Sequence, residues 1–410
     1  MSLDEARRLS AAERVLGGEW TMCTAAEAVG LSLRQMRRLV RKVEADGAEG
    51  VLHGNRGRVP ANKHSEAKRR RVVALARGKY TGFNDAHLAE KLLEVEGLEV
   101  GRATLQRWLR QAGVGASRKR RAPRHRQRRE RMPQAGMMLL WDGSRHDWLE
   151  GRGPMLCLVG AIDDATGELM PGACFVDQEC TAAYMHVLRA VLKQYGVPWR
   201  CYGDRHVIFR RSDERWTLEE ELKGRQEPTQ LGRVLEELGI ERVDALTPQA
   251  KGRVERLWGT MQDRLTSELR LAKARTLHEA SAVLEKYLPA HNRKFRLAPR
   301  NSTPAWRPLP QGLDIERMVS FRYEAIVLND NTVRLEGQVI DIPKGPSGRS
   351  YAKAKVELRQ LLDGSWRVYH RDACIAQTQP TSLRDVRAKK RKRRSASNEA
   401  FRRAVLAMSA

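Results

Sequence analysis

MMLLWDGSRHDWLEGRGPMLCLVGAID (137–163) sets two short apolar runs on either side of a polar connection. MMLLWD (137–142) and MLCLVGAID (155–163) have the length and unbroken apolarity of buried strands, and DATGE (164–168) supplies a turn after the second. LMPGACFV (169–176) reads as a third strand, and TAAYMHVLRAVLKQYG (181–196) as an amphipathic helix stopped by glycine. VPWRCYGD (197–204) is a short strand, TQLGRVLEELG (229–239) a helix, IERVDAL (240–246) a strand, and 254–271 a long helix. Three strands followed by alternating helices and strands predict an α/β domain with a mixed sheet over 134–300.

The rest of the 410 residues differs from this middle in charge. The chain carries 76 Lys and Arg against 50 Asp and Glu, a net +26. Residues 1–116 hold +7, 117–133 hold +8, 134–300 only +1, 301–383 +2 and 384–410 +8. Such an excess points to a polyanion, with nucleic acid ahead of a membrane surface. SRKRRAPRHRQRRER (117–131) has no apolar periodicity and reads as a solvated linker; prolines 304, 308 and 310 mark an extended connector over 301–317. KKRKRR (389–394) lies in a basic tail, 381–410.

Other classes recede. Met1 to Arg14 alternates charge with small residues, so no secretory leader is expected, and the longest apolar runs are too short to span a bilayer. The six cysteines are scattered without a CxxC pair, against a disulfide framework or a structural zinc finger. A reducing, cytoplasmic setting fits, with no membrane partner.

Within residues 1–60, CTAAEAVGLSLRQMRRLVRK (23–42) spaces Ala25, Val29, Leu31, Met36 and Leu39 as two packed short helices require. Ala26 permits close approach, Gly30 a left-handed turn and Ser32 a cap. The second helix then presents Arg34, Gln35, Arg38, Arg41 and Lys42, long polar side chains of the kind that reach base edges and phosphates. The plain alternative is a helical hairpin with a solvated basic face. Residues 61–116 repeat the scheme more loosely: Ala86 to Val95, a break at Gly97, then Arg102 to Gln111 with Leu105, Trp108 and Leu109 inward and Gln106, Arg107 and Arg110 outward. Both are helix-turn-helix candidates. Arg118, Arg120 and Arg121 of the linker 117–133 are further candidates for phosphate contact.

Three carboxylates of the middle stand out. Asp142 and Asp204 end apolar strands, where an ionised group must face a cleft or find a partner. Glu255 opens a long helix whose inner stripe is Val254, Trp258, Met261, Leu265 and Leu269. Carboxylates from adjacent strand ends and a covering helix can hold two hard cations, which serve phosphodiester chemistry. Asp163 and Asp164 compete, but they precede a Thr-Gly turn and read as turn residues; Asp147 and Asp213 lie in polar surroundings.

With WDGSRHDW, YGDRHVIF and TPQAKGRVERLWGTMQDRL around them, and HNRKFRLAPRNSTPAW (291–306) downstream, these residues resemble the integrase-core DDE transposases of bacterial insertion sequences, and among those the ISNCY group. The resemblance covers the whole chain and implies paired helix-turn-helix units, an RNase-H-like catalytic core and a small C-terminal β-barrel. It implies that Asp142, Asp204 and Glu255 bind two Mg²⁺ ions, for which Mn²⁺ would substitute, and that Lys251, Arg253 and Arg256 lie near DNA. Helical spacing also points Arg253 and Arg256 away from the apolar stripe, toward solvent or a phosphate backbone; an ordinary solvated face is the alternative. The stretch from Asp204 to Glu255 is longer than the family's, and the surplus is the polar insertion 210–228. His206 could approach the metal site.

FRYEAIVLND (321–330), TVRLEGQVIDIP (332–343), AKVELRQLLDGSWRVYH (354–370) and ACIAQTQ (373–379) alternate apolar and polar residues, predicting five short strands over 318–380. The expected activity is that of a Mg-dependent transposase. It would bind terminal inverted repeats as a homodimer or higher multimer, cleave 3′ ends and join them to target double-stranded DNA in the bacterial nucleoid. The rivals are a non-catalytic DNA-binding regulator on a decayed core and an RNase-H-like nuclease.

Overall fold

The computed structural model describes residues 1–53, 55–56, 63–115, 129–203, 208–209, 216, 218–224, 226–244, 252–335 and 337–383. Asp204, His206, Lys251, Arg118, Arg120, Arg121, residues 210–215, 217 and 225 of the 210–228 insertion, and the tail beyond 383 lie outside them. The chain divides into two compact units, Met1–Arg71 and Val72–Ala410.

The first unit is built on α1 (Leu3–Leu16), α2 (Met22–Ala28) and α3 (Leu33–Asp46). Ser2 and Glu5 close a reciprocal capping box on α1, and Ser32 and Gln35 close another on α3, each satisfying N–H groups that a helix start leaves unpaired. Ala11, Ala12, Ala25, Ala26, Met36, Val40, Val43 and Val51 form its core. Gly30 takes φ 63° between α2 and α3, as expected for a turn that side chains disfavour. Helix α1 goes beyond the two expected helices.

The second unit opens with the end of α4 (Glu66–Arg77), followed by α5 (Asp85–Glu94) and α6 (Arg102–Gln111). Val72, Tyr80, Leu88, Leu92, Leu105, Trp108 and Leu109 pack between them. The sheet that follows contains β1 (Leu139–His146), β2 (Leu156–Asp163) and β3 (Cys174–Val176), then, beyond α7 (Thr181–Gln194), β4 (Arg200–Gly203). After α8 (Leu218–Lys223) and α9 (Gln230–Glu237) come β5 (Glu241–Asp244), α10 (Gly252–Leu271) and α11 (Leu277–Phe295). The strand order is β3-β2-β1-β4-β5. β1, β2 and β3 pair antiparallel, while β4 and β5 run parallel to β1, giving the expected mixed sheet. β2 is buried at all eight positions, as a strand covered on both faces must be. Leu139, Trp141, Cys157 and Val159 share one core with apolar residues of α7 and α9; Leu140, Leu156 and Leu158 share the other with those of α10 and α11.

Two strand expectations are corrected. β1 continues to His146 because β2 offers a partner as far as His146↔Leu156, so Asp142 sits inside the strand rather than at its end. The third strand shrinks to Cys174–Val176, with Leu169 joined to Ile162 by an isolated bridge.

The C-terminal region comprises α12 (Ile315–Met318), β6 (Phe321–Ile326), β7 (Thr332–Leu335), β8 (Gln338–Asp341), β9 (Lys355–Gln360), β10 (Trp366–His370) and β11 (Ala373–Gln377). They form a four-stranded antiparallel sheet, β11-β10-β9-β6, and a separate β7–β8 hairpin. The expected barrel is therefore not seen: among the described residues β6 and β11 remain the outer strands of an open sheet. TVRLEGQVIDIP, read as one strand, folds back on itself with Leu335 opposite Gln338. Among the described residues no helix is long and apolar enough to cross a membrane.

Candidate active site

Alternation along β1 puts Asp142 on the same face as Leu140, the face covered by α10. Asp142 is half-buried there and accepts a hydrogen bond from the Trp258 indole Nε1 at 3.0 Å. One turn further along α10, the Gln262 side-chain amide donates to Ser144 Oγ at 3.2 Å. These two bonds lay the helix along the strand. Gly160, opposite Asp142 on β2, makes room for the indole: a Cβ there would stand 3.3 Å from Trp258 Cη2. Replacing Trp258 with Phe keeps an aromatic ring, though a smaller one, and removes the donor. The expected cost is about 1–2 kcal/mol, read as a lowered urea midpoint with an unchanged slope.

Glu255 lies three residues before Trp258, exposed in the first turn of α10, where a carboxylate is favoured by the helix macrodipole. Helical neighbours at this spacing share a side of the helix; Trp258 is turned in against β1, while Glu255 is exposed at the surface. On the other side of β1, the described part of β4 ends at Gly203, one residue short of Asp204 and paired with Asp244. Among the described residues no cluster of three or more His, Cys, Asp or Glu side chains could hold a metal ion. Asp142 and Glu255 supply carboxylate oxygens, a donor type that suits Mg²⁺ or Mn²⁺.

Asp163 and Asp164 do sit at a turn but are 1% and 0% exposed. Asp163 accepts from the Gly136 N–H at 2.7 Å and from the Thr166 N–H and hydroxyl. Burial pushes its carboxyl above the usual range, against the pull of these bonds. Asp164 accepts from Arg129 Nη2 at 2.6 Å, from the Met132 N–H at 2.8 Å and from Arg253. Arg253 is thus corrected: it is a mostly buried partner of Asp164 rather than a solvent-facing side chain, because the end of β2 rises to meet it. Arg256 is exposed, as the spacing requires.

Of the residues expected to face DNA, Arg34, Arg38, Arg41 and Lys42 are exposed on α3. Gln35 is exposed too, but its carbonyl accepts from the Ser32 N–H at 2.9 Å and is engaged in the cap. On α6, Arg107 is exposed, whereas Gln106 and Arg110 both donate to Asp85, at 3.0 and 2.7 Å. Sequence reasoning missed the role of Trp258 as partner of Asp142; the parity of Asp142 with Leu140 and the place of Trp258 on the inner stripe were its only signals.

No protein-family model matches the chain. It is 37% identical over 365 residues to the protein named "Putative transposase y4bF" from Sinorhizobium fredii (strain NBRC 101917 / NGR234), covering 89% of this chain and 78% of that one. It is 27% identical over 403 residues to "Transposase for insertion sequence IS1202" from Streptococcus pneumoniae, covering 88% and 83%. Among solved structures, a chain of the simian T-cell lymphotropic virus intasome in complex with PP2A regulatory subunit B56 gamma aligns with TM-score 0.31 at 14% identity, covering 76% of this chain and 100% of that one. The HTLV-2 integrase catalytic core domain in complex with magnesium aligns with TM-score 0.27 at 15% identity, covering 38% and 84%. Both structural likenesses are too low to define a fold.

Proposed function

The chain belongs to the transposases, as do the two relatives that it matches over nearly nine-tenths of its length, and from that premise we propose a DDE transposase of an insertion sequence that cleaves the 3′ ends of its element and joins them to target DNA. Asp142, Asp204 and Glu255 are the proposed metal ligands. The observation that carries this reading is the Trp258–Asp142 hydrogen bond, which fastens the helix bearing Glu255 to the strand bearing Asp142. When bound, two divalent ions supply activation of the attacking oxygen and stabilisation of the leaving oxygen. The protein's own part is to hold its carboxylates in one arrangement, with Trp258 fixing Asp142 and leaving Glu255 at the accessible rim.

Residues 1–60 and 61–116 are the proposed inverted-repeat readers, 134–300 the catalytic core and 318–380 an assembly surface, in a homodimer or higher multimer on DNA. The linker and tail, each at +8, would add sequence-independent grip on phosphates. Replacing Arg38 and Arg41 together by Ala should weaken DNA binding and flatten the plot of log affinity against log salt by about two. A titration between about 50 and 200 mM salt tests this; an unchanged slope removes α3 from the interface.

Strand transfer of labelled inverted-repeat DNA with Mg²⁺ tests the activity. Joined product supports the proposal, cleavage without joining favours an RNase-H-like nuclease, and binding without cleavage in any divalent metal leaves a regulator.

A further inference from the structure

The carboxylate of Asp164, wholly buried, is shared by segments far apart in the chain. Arg129 and Met132, where the basic linker meets the core, donate to it from one side, and Arg253 in the first turn of α10 donates from the other. Arg253 also donates to the carbonyl of Arg129, and Arg131 donates to the carbonyl of Asp164 at 2.8 Å. The Arg129 guanidinium lies 6.0 Å from the centre of the Tyr202 ring on β4. One buried anion thus joins the end of the linker, the end of β2 and the start of α10. Such an anion is tolerable in the interior only while paired, so each partner is held with little freedom.

The start of a helix is its least constrained part, since its first N–H groups lack intrahelical partners. Arg253 is two residues from Glu255. Anchoring it fixes the rotation of the first turn and with it the direction in which Glu255 projects. We propose that Asp164 is a positioning residue for Glu255: through Arg253 it locks the first turn of α10, and it makes that lock depend on the seating of the linker at Arg129. The proposal rests on the reading of Glu255 as a metal ligand.

Mn²⁺ binding to the full chain, followed by calorimetry without DNA, tests it alongside the rate of end cleavage. Asp164→Asn is expected to raise the Mn²⁺ dissociation constant about tenfold, the scale on which partners of metal ligands act. Cleavage should recover at saturating Mn²⁺, and affinity for inverted-repeat DNA should stay within about twofold. Arg253→Lys retains the buried positive charge and should show the same shift in smaller measure, which carries the test if Asp164→Asn does not fold. The decisive outcome is non-additivity: Asp164→Asn combined with Glu255→Gln should bind Mn²⁺ no more weakly than Glu255→Gln alone. Additive losses, or a folded variant with an unchanged Mn²⁺ constant, overturn the positioning role. If Glu255→Gln itself leaves Mn²⁺ binding unchanged, the metal-ligand reading fails and this proposal with it.

Discussion

Asp142→Asn, Asp204→Asn and Glu255→Gln should each lower end cleavage by about a thousandfold, a barrier increase of about 4 kcal/mol, while inverted-repeat binding stays within about twofold. Each change keeps the size of the side chain but removes one negative charge from a site whose proposed work is to concentrate positive charge at a phosphodiester. The separation of the two readouts follows from the charge map. The front, linker and tail carry nearly all of the net +26, so affinity for DNA does not depend on three acids of a middle segment that sums to +1. Asp142→Asn has a second readout. Trp258 donates to Oδ2, and an amide oxygen can still accept there, so the variant should retain its free energy of unfolding in urea to within about 0.5 kcal/mol. A collapse in stability together with activity would reassign Asp142 from chemistry to packing.

The second large effect lies at the far end of α10. Arg264, 7% exposed, donates to both oxygens of Glu90 on α5, at 2.8 and 3.1 Å, and Lys294 of α11 adds a further ion pair. Nearby, Glu268 accepts from His87 at 2.7 Å and pairs with Lys91 at 2.8 Å. Glu90→Ala leaves the Arg264 charge buried and uncompensated. Allowing for the partial exposure of Glu90, the cost is about 2–3 kcal/mol. Hydrogen exchange should therefore quicken by about thirtyfold or more across α5 and α6 while β2 is unaffected; protection unchanged at both sites would dismiss the seam as decorative. The same pair sets a pH dependence. Burial raises the Glu90 carboxyl, but Arg264 and Lys294 outweigh it and hold the group at about 2, against 4.5 for a free side chain. A folded value below the unfolded one contributes stability that is complete above about pH 4.5 and lost as pH falls toward 2. Glu90→Ala should lose that part of the acid transition.

The sequence made the repeating elements legible. Helices α5 and α6 match their expected limits to within about one residue, and α10 starts only two residues before its expected limit, because their apolar stripes and breaks are strong. Helix α1 escaped because its buried contacts are Ala11 and Ala12, which leave almost no stripe among charged neighbours. The barrel failed on TVRLEGQVIDIP, where alternation identifies strand but does not say whether twelve residues make one strand or a hairpin. At the site, residue type and order pointed to Asp142 and Glu255, yet partners were invisible. A helical wheel gives the direction of Arg253 and not the buried carboxylate that meets it, and it does not show the cap that engages Gln35 or the Asp85 carboxylate that engages Gln106 and Arg110.

Helix α10 has a further meaning as a measuring rod. Glu255 stands in its first turn, and the α5–α6 layer is bonded to its other half at Arg264 and Glu268. At 1.5 Å per residue, Glu255 and Glu268 are about 20 Å apart along the axis, close to the rise of six base pairs. The helix cannot bend that distance away without breaking two buried ion-pair clusters. On the proposed reading of residues 61–116 as end readers and Glu255 as a metal ligand, a base-pair insertion between the sequence read and the bond cut would be registered as an error of length, whatever its composition.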